Sequence, residues 1–191
     1  MLIYKYDSKT FVFIHIPKNG GSFIRNKIKK NRKNAIVRNW FGVTNSYRLD
    51  LAHIPYIKKD KFINNQTPYN YYTYTRNPYH RLISAFYYKN KDKDNDNDKC
   101  SIKDFIKNEL QFYDFSTVYD KKIIHYYPQW LFVCDENFNI PSHIKIYKIE
   151  DYENPKIYDL KQFLDNESIE LINKIYEKDF LLFGYESIMK T

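Results

Sequence analysis

Residues 11–22 read FVFIHIPKNGGS: an apolar run, then a proline, a lysine, an asparagine, two adjacent glycines and a serine. A short apolar run bounded by a turn signal fits a buried parallel strand, here over residues 11–16 with His15 as its single polar member. Beyond the glycines, SFIRNKIKKNRK places Phe23, Ile24 and Ile28 on one face and Arg and Lys on the other, which predicts a helix capped by Ser22. A strand, a glycine turn and a helix start in that order make an anion site. The first helical turn offers unpaired N–H groups and the positive end of the helix dipole, and a turn built from Gly20 and Gly21 lets a phosphate approach with no Cβ between. Lys18 adds a mobile positive charge and the Ser22 hydroxyl one more donor. The order of residues departs from the ATP or GTP loop G-x-x-x-x-G-K-[ST]. Here the lysine precedes the glycine pair, and no glycine stands five residues before the second one.

The same grammar recurs downstream. AIVRNWF (35–41) and YYTYT (71–75) read as strands, and the second runs into RNPYHRLISAFYY (76–88), where Pro78 suits the first turn of a helix. Arg76 then stands at a strand end and Ser84 two turns into the helix; a guanidinium is a forked, permanently charged donor set matched to a phosphate monoester. SIKDFIKNEL (101–110) is a helix opened by a serine cap, and IKIYKI (144–149) is a strand followed by Glu150 and Asp151. Residues 155–183 show apolar spacing for two further helices. Strands alternating with helices predict an α/β fold with a mainly parallel sheet, whose ligands bind at the carboxyl ends of the strands.

At 191 residues the chain fits a single domain, residues 1–191, and its 43% hydrophobic content with 20 Tyr and 14 Phe supports a packed core. The stretch KNKDKDNDNDK (89–99) has no apolar residue and reads as a surface loop. A net charge of +8 favours anionic partners without choosing among them. Two cysteines, Cys100 and Cys134, are too few for a disulfide framework and lack metal-ligand spacing. With neither a signal-peptide pattern nor a long apolar run, the expectation is a soluble, cytoplasmic protein without a membrane span.

The two phosphate-binding segments resemble the nucleotide motifs of sulfotransferases that use 3′-phosphoadenosine 5′-phosphosulfate (PAPS), particularly the carbohydrate-type family. The resemblance is carried by FVFIHIPKNGGSFI (11–24), TRNPYHRLISAFYY (75–88) and a looser tail of HYYPQ (125–129), IYKIEDYENP (146–155) and IYEKDFLLFGY (175–185), in the family's order. Family members usually carry Thr where Asn19 stands and often Thr at Ser22. The resemblance implies a P-loop-like three-layer α/β sandwich with helices flanking the sheet. It implies that Lys18 contacts the phosphosulfate and stabilises charge on the departing 5′-phosphate. Asn19, Gly20, Gly21, Ser22 and Phe23 would complete the cradle, and Arg76 and Ser84 would hold the 3′-phosphate. The expected reaction is sulfuryl transfer to a hydroxyl, on a carbohydrate ahead of a peptide tyrosine or small molecule, releasing adenosine 3′,5′-bisphosphate.

Such transfer needs the acceptor oxygen in line with sulfur, stabilisation of the leaving phosphate and a base for the hydroxyl proton. Of the five histidines, His15 reads as a hydrogen-bonded core residue and His80 as surface. His53, in LDLAHIPYI (49–57), is the expected general base, because sulfotransferases of the resembled type carry a catalytic histidine in a similar context between the two motifs. His125 matches a recurrent family position expected to line the acceptor or nucleotide pocket, with Gln129 beside it and no chemistry assigned. Glu150 resembles an acidic position of the family tail, where structural hydrogen bonding and catalysis both stand open. The scheme needs no metal, since Lys18 and the helix N-terminus supply the positive charge that Mg²⁺ supplies in kinases. Three alternatives stand beside it. One is a nucleotide kinase using Glu150 and Asp151 as a metal-binding pair. Another is a basic nucleic-acid-binding protein, and the third a family member that binds without turnover.

Overall fold

The computed structural model describes residues 1–31, 36–39, 50–63, 68–90, 100–115, 120 and 122–189. Its N-terminus is a feature the sequence reading did not predict: β1 (Leu2–Tyr6) and β2 (Lys9–Ile14) form an antiparallel hairpin pairing Tyr6 with Lys9. The turn residues Asp7 and Ser8 have φ of 48° and 59°, the double left-handed conformation that matches strand twist in a two-residue hairpin. Asn-Gly or Asp-Gly would have announced such a turn; Asp-Ser does not.

β3 (Ile36–Asn39) pairs antiparallel with β1, while β4 (Tyr69–Thr75) and β5 (Lys145–Lys148) extend the sheet in parallel from β2. The order is β3-β1-β2-β4-β5. The sheet is therefore mixed, with a parallel half and an antiparallel half, where a mainly parallel sheet was expected. The unforeseen β1 is the reason, since it runs against both of its neighbours. Residues 35, 40 and 41 of the strand expected over 35–41 lie outside the described residues, as does the charged stretch from residue 91 to 99.

Period-two alternation assigns the two faces of the sheet. Leu2, Tyr4 and Phe13 pack with Ile24 and Ile28 of α1 (Gly21–Asn31), and Tyr4 stacks on Phe11 with ring centroids 5.1 Å apart. On the opposite face Val12, Ile14 and Tyr71 pack against Ile54 and the segment that carries Leu131, Phe132 and Val133. A third cluster joins α2 (Pro78–Asn90), α3 (Ile102–Asn108), α5 (Asn166–Ile175) and α6 (Glu177–Phe183) through residues such as Ile83, Ile106, Ile172 and Phe180. Each such apolar side chain contributes about 2 kcal/mol by leaving water.

Local signals behave as their chemistry requires. Ser101 caps α3, accepting from the Asp104 N–H at 3.1 Å, and Pro78 opens α2 behind Asn77, whose side chain accepts from the Tyr79 N–H at 3.0 Å. The C-terminal part holds three helices where two were expected. α4 (Leu160–Phe163) is short, and the run 167–183 breaks at Tyr176 into α5 and α6. Gly184, with φ of 62°, ends α6 in the left-handed conformation common after helices. Among the described residues no helix is long and apolar enough to cross a membrane.

Candidate active site

The parallel strands β2, β4 and β5 end on one side of the sheet, and the segments leaving them build a single cleft. β2 leads into residues 15–20, where Lys18 has φ of 68° and Gly20 has φ of 72°. Backbone that alternates handedness turns successive N–H groups toward a common concave side, a shape that receives anions. Left-handed φ disfavours a residue with a Cβ by about 1–2 kcal/mol, and the Arg76 Nη1 that donates to the Lys18 carbonyl at 3.1 Å helps hold Lys18 there. The two glycines have separate reasons. At Gly20 a Cβ would add strain at positive φ and sit 3.3 Å from the Ile149 Cδ1, whereas at Gly21 it would overlap the His15 ring.

α1 starts at Gly21, one residue before the expected start, so Ser22 occupies its first turn instead of capping it. Its hydroxyl accepts from Arg25 Nη2 at 3.3 Å. The first turn carries no acidic residue, and the loop's lysine lies close by, with its Nζ 4.1 Å from the Tyr88 ring centroid. This end of the cleft is a cradle of amides, one hydroxyl and one ammonium.

The second wall comes from β4 and α2. Arg76 is 5% exposed; besides Lys18 it donates from Nη2 to the Lys156 carbonyl, and its buried Nε has no partner among the described residues. Burial lowers its pKa from the ordinary arginine value, yet a guanidinium stays charged at neutral pH. Ser84 faces the same cleft from α2. The cleft, of about 670 Å³, is lined by every residue that the sequence reading nominated except Asn19. Asn19 is turned inward: its Nδ2 donates to the Tyr74 carbonyl and to Gln129 Oε1, both at 2.7 Å, which ties the loop to the β4 edge. Its side chain fastens the loop rather than lining the cleft.

Three imidazoles meet at the base of the cleft. The His15 and His53 ring centroids are 4.3 Å apart, and those of His53 and His125 5.5 Å. His53 Nδ1 lies 2.9 Å from the His15 carbonyl oxygen. A carbonyl only accepts, so Nδ1 carries the proton and Nε2 the lone pair in the neutral ring. Burial pushes the His53 pKa down to about 3, opposed by that hydrogen bond and assisted by Arg25 and Arg81. Burial, then His53 and the nearby lysines, pushes His125 down to about 3, and burial followed by the neighbouring His53 holds His15 well below the usual range. His15 is buried as expected, but its Nδ1 has no hydrogen-bond partner among the described residues; it is held by packing against Gly21. His80 is half-buried, and its Nδ1 accepts from the Tyr158 N–H at 3.3 Å.

Several residues behind the cleft escaped the sequence reading. Arg81, 1% exposed, donates from Nε to the Pro17 carbonyl at 3.1 Å and from Nη2 to the His125 carbonyl at 3.2 Å, so it grips the loop and the third imidazole together. Asp179 is fully buried and accepts from the Gln129 N–H at 2.8 Å and the Trp130 N–H at 2.9 Å. Burial raises its pKa to about 6 against the lowering effect of Arg81. Glu150 also has a structural post: one oxygen accepts from the Asn77 N–H at 2.8 Å and the other from the Tyr185 hydroxyl at 3.0 Å.

This arrangement, a glycine-turn cradle and an arginine anchor opening on one cleft with a neutral imidazole between, agrees with a family comparison. The model of the sulfotransferase family matches residues 3–166, and the chain belongs to that family. Membership supports sulfotransferase activity. No curated protein and no solved structure matches the chain.

Proposed function

We propose that the protein transfers a sulfuryl group from PAPS to a hydroxyl of a carbohydrate acceptor, with His53 as general base. The observation that carries this reading is that two candidate anion anchors line one cleft, Lys18 with residues 20–23 and Arg76 with Ser84. A donor with anionic groups at both its 5′ and 3′ ends has a counterpart for each. The fit rests on the cradle itself. Gly20 holds the left-handed backbone of the loop at φ of 72°, and the buried Nε of Arg76 has a proton with no partner among the described residues. The β2–loop–α1 unit supports the P-loop-like description, and the resemblance to carbohydrate-type members supports the acceptor class.

In this scheme the acceptor oxygen attacks sulfur as the bond from sulfur to the bridging phosphate oxygen breaks. Lys18 and the first amides of α1 stabilise the charge that gathers on that oxygen. The hydroxyl proton passes to His53 Nε2, whose lone pair is set by the bond from Nδ1 to the His15 carbonyl. Burial beside Arg25 and Arg81 keeps the imidazole in its proton-accepting form. Anions seated against Lys18 and Arg76 then raise its basicity toward the working range. The positive charge comes from side chains and helix, so activity is expected without divalent metal. The kinase alternative is less well supported, because both Glu150 oxygens already serve Asn77 and Tyr185. A radiolabelled-sulfuryl transfer screen over glycans, peptides and small alcohols tests the proposal. Incorporation into a glycan hydroxyl is expected, and labelling confined to tyrosine peptides would overturn the acceptor class.

A further inference from the structure

One fully buried side chain joins the two anion anchors without facing the cleft. Gln129 Oε1 accepts from Asn19 Nδ2 at 2.7 Å and from the Arg76 N–H at 2.9 Å, while its Nε2 donates to the Arg76 carbonyl at 2.8 Å. One amide therefore holds the loop of the first anchor and both backbone groups of the second. The combination demands glutamine chemistry: two N–H groups need an acceptor and one carbonyl needs a donor, at a site 0% exposed. A carboxylate lacks the donor and an apolar side chain lacks both. Gln129 is itself fixed from behind, since its N–H goes to Asp179 Oδ2 at 2.8 Å and the other Asp179 oxygen takes the Trp130 N–H.

The mechanical consequence concerns spacing. Two anchors held at a fixed separation reward a ligand whose two anionic groups match that separation, because seating one group places the other without further loss of freedom. Let the separation fluctuate, and each anchor still binds an anion while the reinforcement is lost. We infer that Gln129 is a positioning residue that fixes the distance between the glycine-loop cradle and Arg76, and thereby sets selectivity for nucleotides phosphorylated at both the 3′ and 5′ positions over singly phosphorylated ones. The inference rests on the two-anchor reading of the cleft proposed above.

The test is calorimetric titration of wild type and Gln129→Met, a near-isosteric change, with adenosine 3′,5′-bisphosphate, adenosine 5′-monophosphate and adenosine 3′-monophosphate. Wild type is expected to prefer the bisphosphate strongly. In the variant the bisphosphate should weaken by about tenfold or more, as loss of a buried hydrogen-bond hub implies, while each monophosphate changes by less than about threefold. Asn19→Ala removes one arm of the hub and is expected to shift the same preference less; it carries the test if Gln129→Met does not fold. A general structural role would weaken all three ligands alike, and that outcome, or a variant that keeps the wild-type preference, overturns the inference. A wild type with no preference for the bisphosphate would instead remove the two-anchor reading on which it stands.

Discussion

His53 donates its Nδ1 proton to the carbonyl of His15, 2.9 Å away, so the residue that follows β2 and precedes the glycine loop also fixes the tautomer of the imidazole facing it. The glycine loop and the His53 ring are thus tied together through one backbone carbonyl. Asp50 holds the short helical turn of Leu51–His53 by accepting from the Ala52 N–H at 2.9 Å, which sets the approach of His53 from the other side.

Replacing His53 separates chemistry from binding. His53→Ala is expected to lower kcat by a factor on the order of 10²–10⁴, the usual worth of a general base. The dissociation constant for adenosine 3′,5′-bisphosphate should change little. Single-turnover kinetics and calorimetry on the same variant check both halves.

The clustered imidazoles give stability a defined pH dependence. His53 and His125 have folded pKa values of about 3 against an ordinary 6.5, so between those values the unfolded chain binds more protons than the folded one. Stability therefore rises with pH through that window and is fully restored above it. Asp179 works the other way. Its folded pKa of about 6 against an ordinary 3.8 gives a contribution that is present at low pH and declines as pH rises through that interval. The several histidines outweigh the one carboxylate, so Tm should fall on acidification, and His125→Asn should flatten the slope. Bound bisphosphate should oppose the fall, since its charge favours protonated imidazole.

The glycines should fail for different reasons. Gly21→Ala places a methyl in the His15 ring, an overpacking that destabilises by about 1–3 kcal/mol, and His15→Ser should recover much of the loss if the ring is the obstacle. Gly20→Ala meets positive φ instead, at about 1–2 kcal/mol, and no change at His15 should relieve it. Thermal melts of the three single and two double variants check this.

Metal independence is the fourth expectation. Sulfuryl transfer should persist in excess EDTA at close to its untreated rate, while Lys18→Ala should remove most of it, because in the proposed scheme Lys18 supplies the charge at the leaving oxygen.

The sequence was most legible where local chemistry and tertiary role coincide. Strand, glycine turn and helix start announced the cradle because periodicity, glycine and the following apolar face all lie within residues 11–28, and Pro78 announced α2 in the same way. The mixed sheet was not legible, since β1 depends on a two-residue turn made by Asp7 and Ser8 without a glycine. Asn19 reads as a ligand contact because it sits in the glycine loop; only the fold brings Gln129, 110 residues later, to its side chain. Nothing in the sequence around Arg81 and Asp179 reveals that packing of α2 and α6 buries both.

The most direct test of the two-anchor cleft is calorimetric titration of the wild-type chain with adenosine 3′,5′-bisphosphate and, separately, with ATP and Mg²⁺. The cleft described here predicts saturable binding of the bisphosphate that Lys18→Ala and Arg76→Ala each weaken strongly, and little affinity for MgATP. Saturable binding of MgATP with no heat from the bisphosphate would contradict it.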